Sequence, residues 1–220
     1  MKNRTKLLSG LYAITDPNLM GEDIMTKAGQ AISGGINILQ YRNKAASYTQ
    51  QKKEAHQLAS LCYEQDVLFI INDNVELALE VNADGVHIGQ QDGDIDAARK
   101  QLGAGKIIGV TCNNKIENAI IAQQQGADYV AFGRFFKSST KPTAPQADVS
   151  MLEEIRASIT LPVVAIGGVT HANASELLKY DIDMLAVIES LFGQKDIGQS
   201  ARRFVDIFKR RDDRKASSDL

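Results

Sequence analysis

Cysteine is scarce in this chain, and where it occurs it excludes two architectures. Cys62 and Cys112 are the two present. They stand far apart, with no CxxC and no Cys/His ligand spacing, so neither a disulfide framework nor a zinc site is expected. Long apolar runs are missing as well. Nothing approaches the roughly 18 residues of a membrane span, and the apolar part of the basic N-terminus is too short for a secretory signal. Nor does one sign of charge dominate: Lys and Arg total 25 against 27 Asp and Glu, a net charge of −2. That balance gives no electrostatic footprint for nucleic acid or a membrane surface. Histidine occurs three times, without a Ser-His-Asp arrangement or an HExxH run, so hydrolytic triads and zinc peptidase chemistry lack support. His56 falls mid-helix, His87 inside a strand as a satisfied interior imidazole, and His171 at the start of a helix. A soluble cytoplasmic protein is the expectation that these absences leave.

What is present is alternation. The 220 residues, 44% of them hydrophobic, suffice for one sizeable core. Short apolar runs at 11–15, 36–41, 67–71, 85–88, 107–110, 129–132, 163–166 and 185–188 read as strands. Helical patterns lie between them at 21–33, 48–65, 75–81, 95–102, 116–125, 149–158 and 172–179, and a last one at 197–209 follows the final strand. Strand and helix in strict alternation imply a parallel sheet, and eight such units fit the closed (β/α)8 barrel. The α/β reading is sharpened by a repeat. Asn37, Asp84, Asp128 and Asp183 each open an even-numbered strand, and Gly34-Gly35, Asn82 and Gly126 occupy the preceding turns. Such a pattern suits a barrel whose alternate strands are equivalent. A single domain is expected over 1–209, with 210–220 as a polar, disordered tail.

In this architecture the chemistry lies in the loops after the strands. Those loops carry Gln40-Tyr41-Arg42-Asn43-Lys44, Asn72-Asp73, Gly89 to Asp92, Thr111, a 133–147 loop holding Ser138-Ser139-Thr140-Lys141, Gly167-Gly168-Val169-Thr170, and Ile188-Glu189-Ser190. Either Asp73 or Asp92 alone reads equally as a helix cap or a turn residue. Together at the ends of adjacent strands they form a pair suited to a hard divalent cation. Arg42, Lys44 and Lys141 bring positive charge opposite that pair, a mixture that suits a metal-bound polyphosphate better than a bare phosphate. The loop around Ser138 is long enough to serve as a lid. Gly167-Gly168, before a helix capped by Thr170, can bring backbone close to a phosphate.

Taken in order, these strand-end residues resemble the thiamine phosphate synthase family from Leu11 to about Phe208. The resemblance implies a TIM barrel enzyme that joins a hydroxymethylpyrimidine diphosphate to a thiazole phosphate, giving thiamine phosphate and pyrophosphate. It implies Asp73 and Asp92 as Mg2+ ligands, and Gln40, Tyr41, Arg42, Asn43, Lys44, Asn72 and Thr111 around the pyrimidine diphosphate. Ser138, Ser139, Thr140, Gly168, Ile188 and Glu189 fall at the thiazole phosphate, and Lys141 at the pyrophosphate. Arg42, Lys44 and Lys141 are the expected catalytic cations. Such a reaction needs its leaving charge neutralised and its substrates held in register, and no strong base. The family commonly has Ser where this chain has Glu189, so the expectation is that Glu189 turns away and its backbone N–H makes the contact. A thiazole tautomerase of the same fold would need a His after the fifth strand, where Thr111-Cys112-Asn113-Asn114 stands instead. A non-catalytic binding paralogue would have lost Asp73, Asp92 or Lys141, and none is lost. Small-molecule substrates are the expected partners, with no nucleic acid, no membrane and a homo-oligomer left open.

Overall fold

The computed structural model of the chain describes residues 8–90, 93–138 and 145–218. Eight parallel strands close into a barrel in sequence order: β1 (Gly10–Ile14), β2 (Ile38–Tyr41), β3 (Leu68–Asn72), β4 (Gly85–Ile88), β5 (Ile107–Asn113), β6 (Tyr129–Phe132), β7 (Val163–Ile166) and β8 (Met184–Val187). The ring closes where β8 pairs with β1, from Gly10 against Met184 to Ala13 against Val187. The outer layer consists of α1 (Pro17–Met20), α2 (Ile24–Ser33), α3 (Tyr48–Glu64), α4 (Val75–Glu80), α5 (Ile95–Leu102), α6 (Ile116–Gln124), α7 (Met151–Ser158), α8 (Ala174–Leu177), α9 (Glu189–Phe192) and α10 (Ile197–Ser218). Among the described residues no helix is long and apolar enough to cross a membrane.

The strands read as near-continuous apolar runs because both of their faces are covered. Leu39, Phe69, Val86 and Val130 point outward under the helices, while Tyr12, Ile38, Ile70, Tyr129 and Met184 fill the interior. Truncating one of these to Ala would cost about 2–5 kcal/mol, since a packed interior collapses only partly around a void. Bulk on one strand is matched by its absence on the next. A Cβ on Gly109 would fall 1.9 Å from the Tyr129 ring, so only glycine leaves space for that aromatic.

The repeat at the even strands is a ring of clamps. Asn37, Asp84, Asp128 and Asp183 each send their backbone N–H to the carbonyl of Leu11, Phe69, Ile108 and Val163 respectively. Each returns a side-chain oxygen to the N–H of the same residue, at 3.1, 2.9, 2.7 and 2.7 Å. Each odd strand thus gains a side-chain acceptor for an N–H in its first two residues. Asn82, Gly126 and Asp181 turn the chain into these positions with φ of 52°, 82° and 56°. Arg99 closes the Asp128 clamp at 2.6 Å and Arg156 pairs with Asp183.

Three differences from the sequence reading have local causes. The single-turn α1 starts on Pro17, whose missing N–H costs nothing there, and Asp16 accepts from Asn18 N–H at 2.9 Å. The seventh helical segment starts at Ala174 rather than Ala172, because Thr170 N–H bonds to Asn173 Oδ1 and makes a turn first. Thr170 is therefore not the helix cap. The final helix does not stop at Lys209 before a disordered tail; it continues to Ser218. Arg211 explains the extension, since it lies over the Phe208 ring and donates to the Ile182 carbonyl at 2.7 Å.

Candidate active site

The C-terminal end of the barrel opens into a cavity of about 380 Å³, within the usual range for small-molecule sites. Its floor is polar, although the strands that build it are apolar. Gln40 Nε2 donates to Tyr12 Oη at 2.6 Å, and Tyr12 and Tyr129 hydroxyls meet at 2.8 Å. His87 continues the chain, with Nδ1 2.9 Å from Tyr129 Oη and Nε2 2.9 Å from Thr111 Oγ1. These distances join the Gln40 amide, both phenols, the His87 imidazole and the Thr111 hydroxyl into one continuous hydrogen-bonded chain. Burial pushes both phenols well above their ordinary range, so neither ionises near neutrality. Gln40, Thr111 and the two phenols give the floor fixed, uncharged hydrogen-bonding groups. Tyr12 and Tyr129 carry it, and sequence reasoning overlooked them; inward parity on β1 and β6 was the available signal.

The rim after β2 and β3 carries charge. Arg42 is fixed by its backbone, whose N–H and carbonyl both bond to Thr15 Oγ1, at 2.8 and 3.1 Å. Its guanidinium faces the cavity, and no described residue accepts from its buried Nε. Asp73 does not cap the following helix; Asn74 does, accepting from Leu77 N–H at 2.9 Å. Asp73 instead takes φ of 62° and turns its carboxylate along the cavity wall. There Oδ1 accepts from Gly89 N–H at 3.2 Å, and Oδ2 meets Lys44 Nζ at 2.7 Å and Asn72 Nδ2 at 2.5 Å. Asp73 offers one hard oxygen ligand on this rim, here paired with Lys44, and among the described residues no group of three His, Cys, Asp or Glu could hold a metal ion.

Two of the expected residues lie away from the cavity wall. Tyr41 points outward under α3, buried, with its hydroxyl on Glu54 at 2.7 Å, because it is out of phase with the inward-facing Gln40. Asn43 is absent from the cavity wall. It bonds to Glu54 at 3.2 Å and to Ala46 N–H at 3.2 Å, bracing the loop from behind.

Across the cavity, the loops after β6, β7 and β8 bring Ser138, Gly168, Ile188 and Glu189 into one wall with Arg134 and Lys137, two cations that sequence reasoning did not single out. The two arms of the 133–147 loop are joined at their base, with Arg134 N–H on Pro145 O at 3.2 Å and Ala147 N–H on Arg134 O at 2.8 Å. Gly168 has φ of 66°, and a Cβ there would sit 2.4 Å from the Lys137 carbonyl, so the β6 and β7 loops touch only because it is glycine. Glu189 begins the single-turn α9 and is exposed. Asp92, Ser139, Thr140 and Lys141 lie outside the described residues.

The comparisons with known proteins cover almost the whole of this architecture. A family model described as thiamine monophosphate synthase matches residues 11–191. A thiamine-phosphate synthase of Alcanivorax borkumensis is 52% identical over 190 residues, covering 86% of this chain and 88% of the relative. One from Nitrosospira multiformis is 44% identical over 203 residues, 92% of this chain and 87% of the relative. The solved structure of a thiamine phosphate pyrophosphorylase from Pyrococcus furiosus superposes with a TM-score of 0.86 at 34% identity, over 94% of this chain and 98% of that one. With sequence and barrel matched from the first strand to the last, the chain belongs to the thiamine monophosphate synthase family.

Proposed function

We propose that this chain, a thiamine-phosphate synthase by family, condenses a hydroxymethylpyrimidine diphosphate with a thiazole phosphate in the cavity at the C-terminal end of its barrel. The observation that carries the reading is the cavity's two-ended chemistry. An uncharged hydrogen-bonding floor and the Arg42–Asp73 rim lie on one side, and the Ser138–Gly168–Glu189 wall lies on the other. In this reading the carbon–oxygen bond to the diphosphate breaks, and the thiazole nitrogen forms a carbon–nitrogen bond to the same methylene. Gln40 and Thr111 orient the aminopyrimidine, and their neutrality suits a ring whose electrons assist departure. Arg42, Lys44 and Asn72 bind the diphosphate, with Lys141 assigned to the leaving group. Asp73 and Asp92 would hold Mg2+, which when bound neutralises part of the departing charge. Ser138, Ser139, Thr140, Gly168 and the Ile188-Glu189 turn take the thiazole phosphate.

No residue in this scheme acts as a strong base. Positioning and charge neutralisation are the contributions asked of the protein. The enzyme is assigned to the cytoplasm and to small-molecule substrates.

Pyrophosphate release from the two mixed substrates tests the assignment directly. Turnover is expected with Mg2+ and should fall sharply in excess chelator; no turnover with Mg2+ present would sink the reading. Glu189→Ser tests the wall. If the backbone N–H makes the phosphate contact, the thiazole phosphate KM changes less than about threefold, a fraction of a kcal/mol. A large fall in that KM would mean that the carboxylate repels the substrate.

A further inference from the structure

Within the wall made by the last two loops, hydrogen bonds among Val169, Ser190, Ser200 and His171, with the backbone from Val169 to His171, close a ring to which the proposed reaction assigns no role. Ser190 Oγ donates to the Val169 carbonyl at 2.6 Å, which ties the turn after β8 to the turn after β7. Ser190's own carbonyl has no helical donor, because α9 lasts one turn and Gln194 N–H goes to Leu191. Ser200 on α10 supplies the missing donor, with its hydroxyl 2.8 Å from that carbonyl. His171 completes the circuit. Its Nε2 lies 3.0 Å from the Ser200 carbonyl and 3.3 Å from Ser200 Oγ.

The proton order follows from these partners. A carbonyl only accepts, so Nε2 carries the hydrogen. Ser200 gives its own proton to Ser190, so its Oγ is an acceptor for the same Nε2–H. The imidazole is held from behind by the Phe204 ring, 4.1 Å between centroids. Val169 and Ser200 are buried, so each broken link would leave a polar group away from water.

The ring joins the two turns that present Gly168 and Glu189 to the cavity. We infer that His171 is a positioning residue: through Ser200 it fixes the spacing of the β7 and β8 turns, and with it the fit of the thiazole phosphate. The inference rests on the assignment of that substrate to this wall. It makes His171 selective in its effect, since among the described residues no hydrogen bond of the ring goes to the Arg42–Asp73 rim or to the floor.

The test compares His171→Phe, which keeps the packing on Phe204 and deletes the donor, with Ser200→Ala and with His171→Gln, which restores a donor. In the first two, KM for the thiazole phosphate should rise about three- to tenfold, the worth of one or two neutral hydrogen bonds. KM for the pyrimidine diphosphate and kcat should stay within about twofold, a change below that worth. His171→Gln should recover most of the loss, and the double variant should be no worse than either single, because both break one circuit. A rise in both KM values together, or unmoved KM values with a lowered Tm, would reduce the ring to a structural feature. Amide exchange provides a readout independent of turnover. Gly168 and Glu189 should both exchange faster in His171→Phe, and unchanged protection at Glu189 would overturn the coupling. A wild-type enzyme without turnover would refute the functional assignment instead, while wild-type turnover with insensitive variants would refute this inference alone.

Discussion

The two ends of the barrel use the same residue types for opposite purposes. At the N-terminal end, Asp84, Asp128 and Asp183 each bond to a backbone N–H of the neighbouring strand, and Arg99 and Arg156 close two of the clamps. Lys106 donates to Asn82 and to the Ala83 carbonyl at 2.6 and 2.7 Å. Charge there is spent on the chain's own backbone, and the result is a closed edge. At the C-terminal end Asp73 lines the cavity, and Arg42 holds a buried Nε that no described residue accepts from. In the proposed reading the substrate diphosphate supplies the acceptor for that Nε. On the proposed assignment, stability and function sit at opposite ends of the same strands, which leaves each open to change without the other.

Arg42→Met offers the largest effect and the sharpest test of that separation. It should lower kcat/KM about a hundredfold, the scale of a lost charge-stabilising donor. Tm should hold within about 2 °C, because Thr15 grips the backbone and not the guanidinium. Equal losses of activity and Tm would erase the distinction between the ends. The reverse signature belongs to Asp128→Ala. It orphans the Ile108 N–H and removes the Arg99 ion pair, while Arg99 keeps the Gly103, Lys106 and Gly126 carbonyls, for a loss of about 2 kcal/mol, or roughly 5 °C in a chain of this size. Both KM values should be unmoved in steady-state assays.

A smaller effect is expected of Asp183→Asn. Asn37 already performs the same clamp with an amide, so only the Arg156 ion pair is lost, worth about 0–1 kcal/mol at a partly exposed site. Urea denaturation of the Asn and Ala variants side by side would measure the difference; equal costs would mean that the charge, not the acceptor, makes the clamp. Least of all should follow from thiol modification. Burial pushes Cys62 and Cys112 up to about 12, so at pH 8 both stay protonated and poorly nucleophilic. A thiol reagent at that pH should leave activity unchanged. Reaction at Cys112 with loss of turnover would show that the site end of β5 opens, and that the two ends differ in mobility as well as in chemistry.

Much of this contrast is legible in the sequence, and its limits are physical. The clamps could be seen because they recur once per pair of strands. Asn72-Asp73 could be seen because a polar pair at the end of an apolar run has few uses. Tyr41 and Asn43 were misplaced because strand parity alternates residue by residue: Gln40 faces the cavity, so Tyr41 faces the helices. The floor was overlooked for a related reason. Tyr12 and Tyr129 occur inside apolar strands and read as core until closure of the sheet points their hydroxyls at each other. Single-turn helices such as α1 and α9 carry too few residues for any period to appear.

The sequence by itself determined the alternation of strand and helix, the number of units, the ring of Asn and Asp at the even-strand starts and the order of charged loops. All of these depend on local periodicity and on turn chemistry, which neighbouring residues encode. The tertiary structure decided which side chains share a cavity. It set Arg42 across from the Gly168 turn, joined Tyr12 to Tyr129 over 117 positions in the chain, and tied His171 to Ser190 through Ser200. Those contacts depend on barrel closure, which places distant segments within hydrogen-bonding reach, and no local pattern in the chain specifies them.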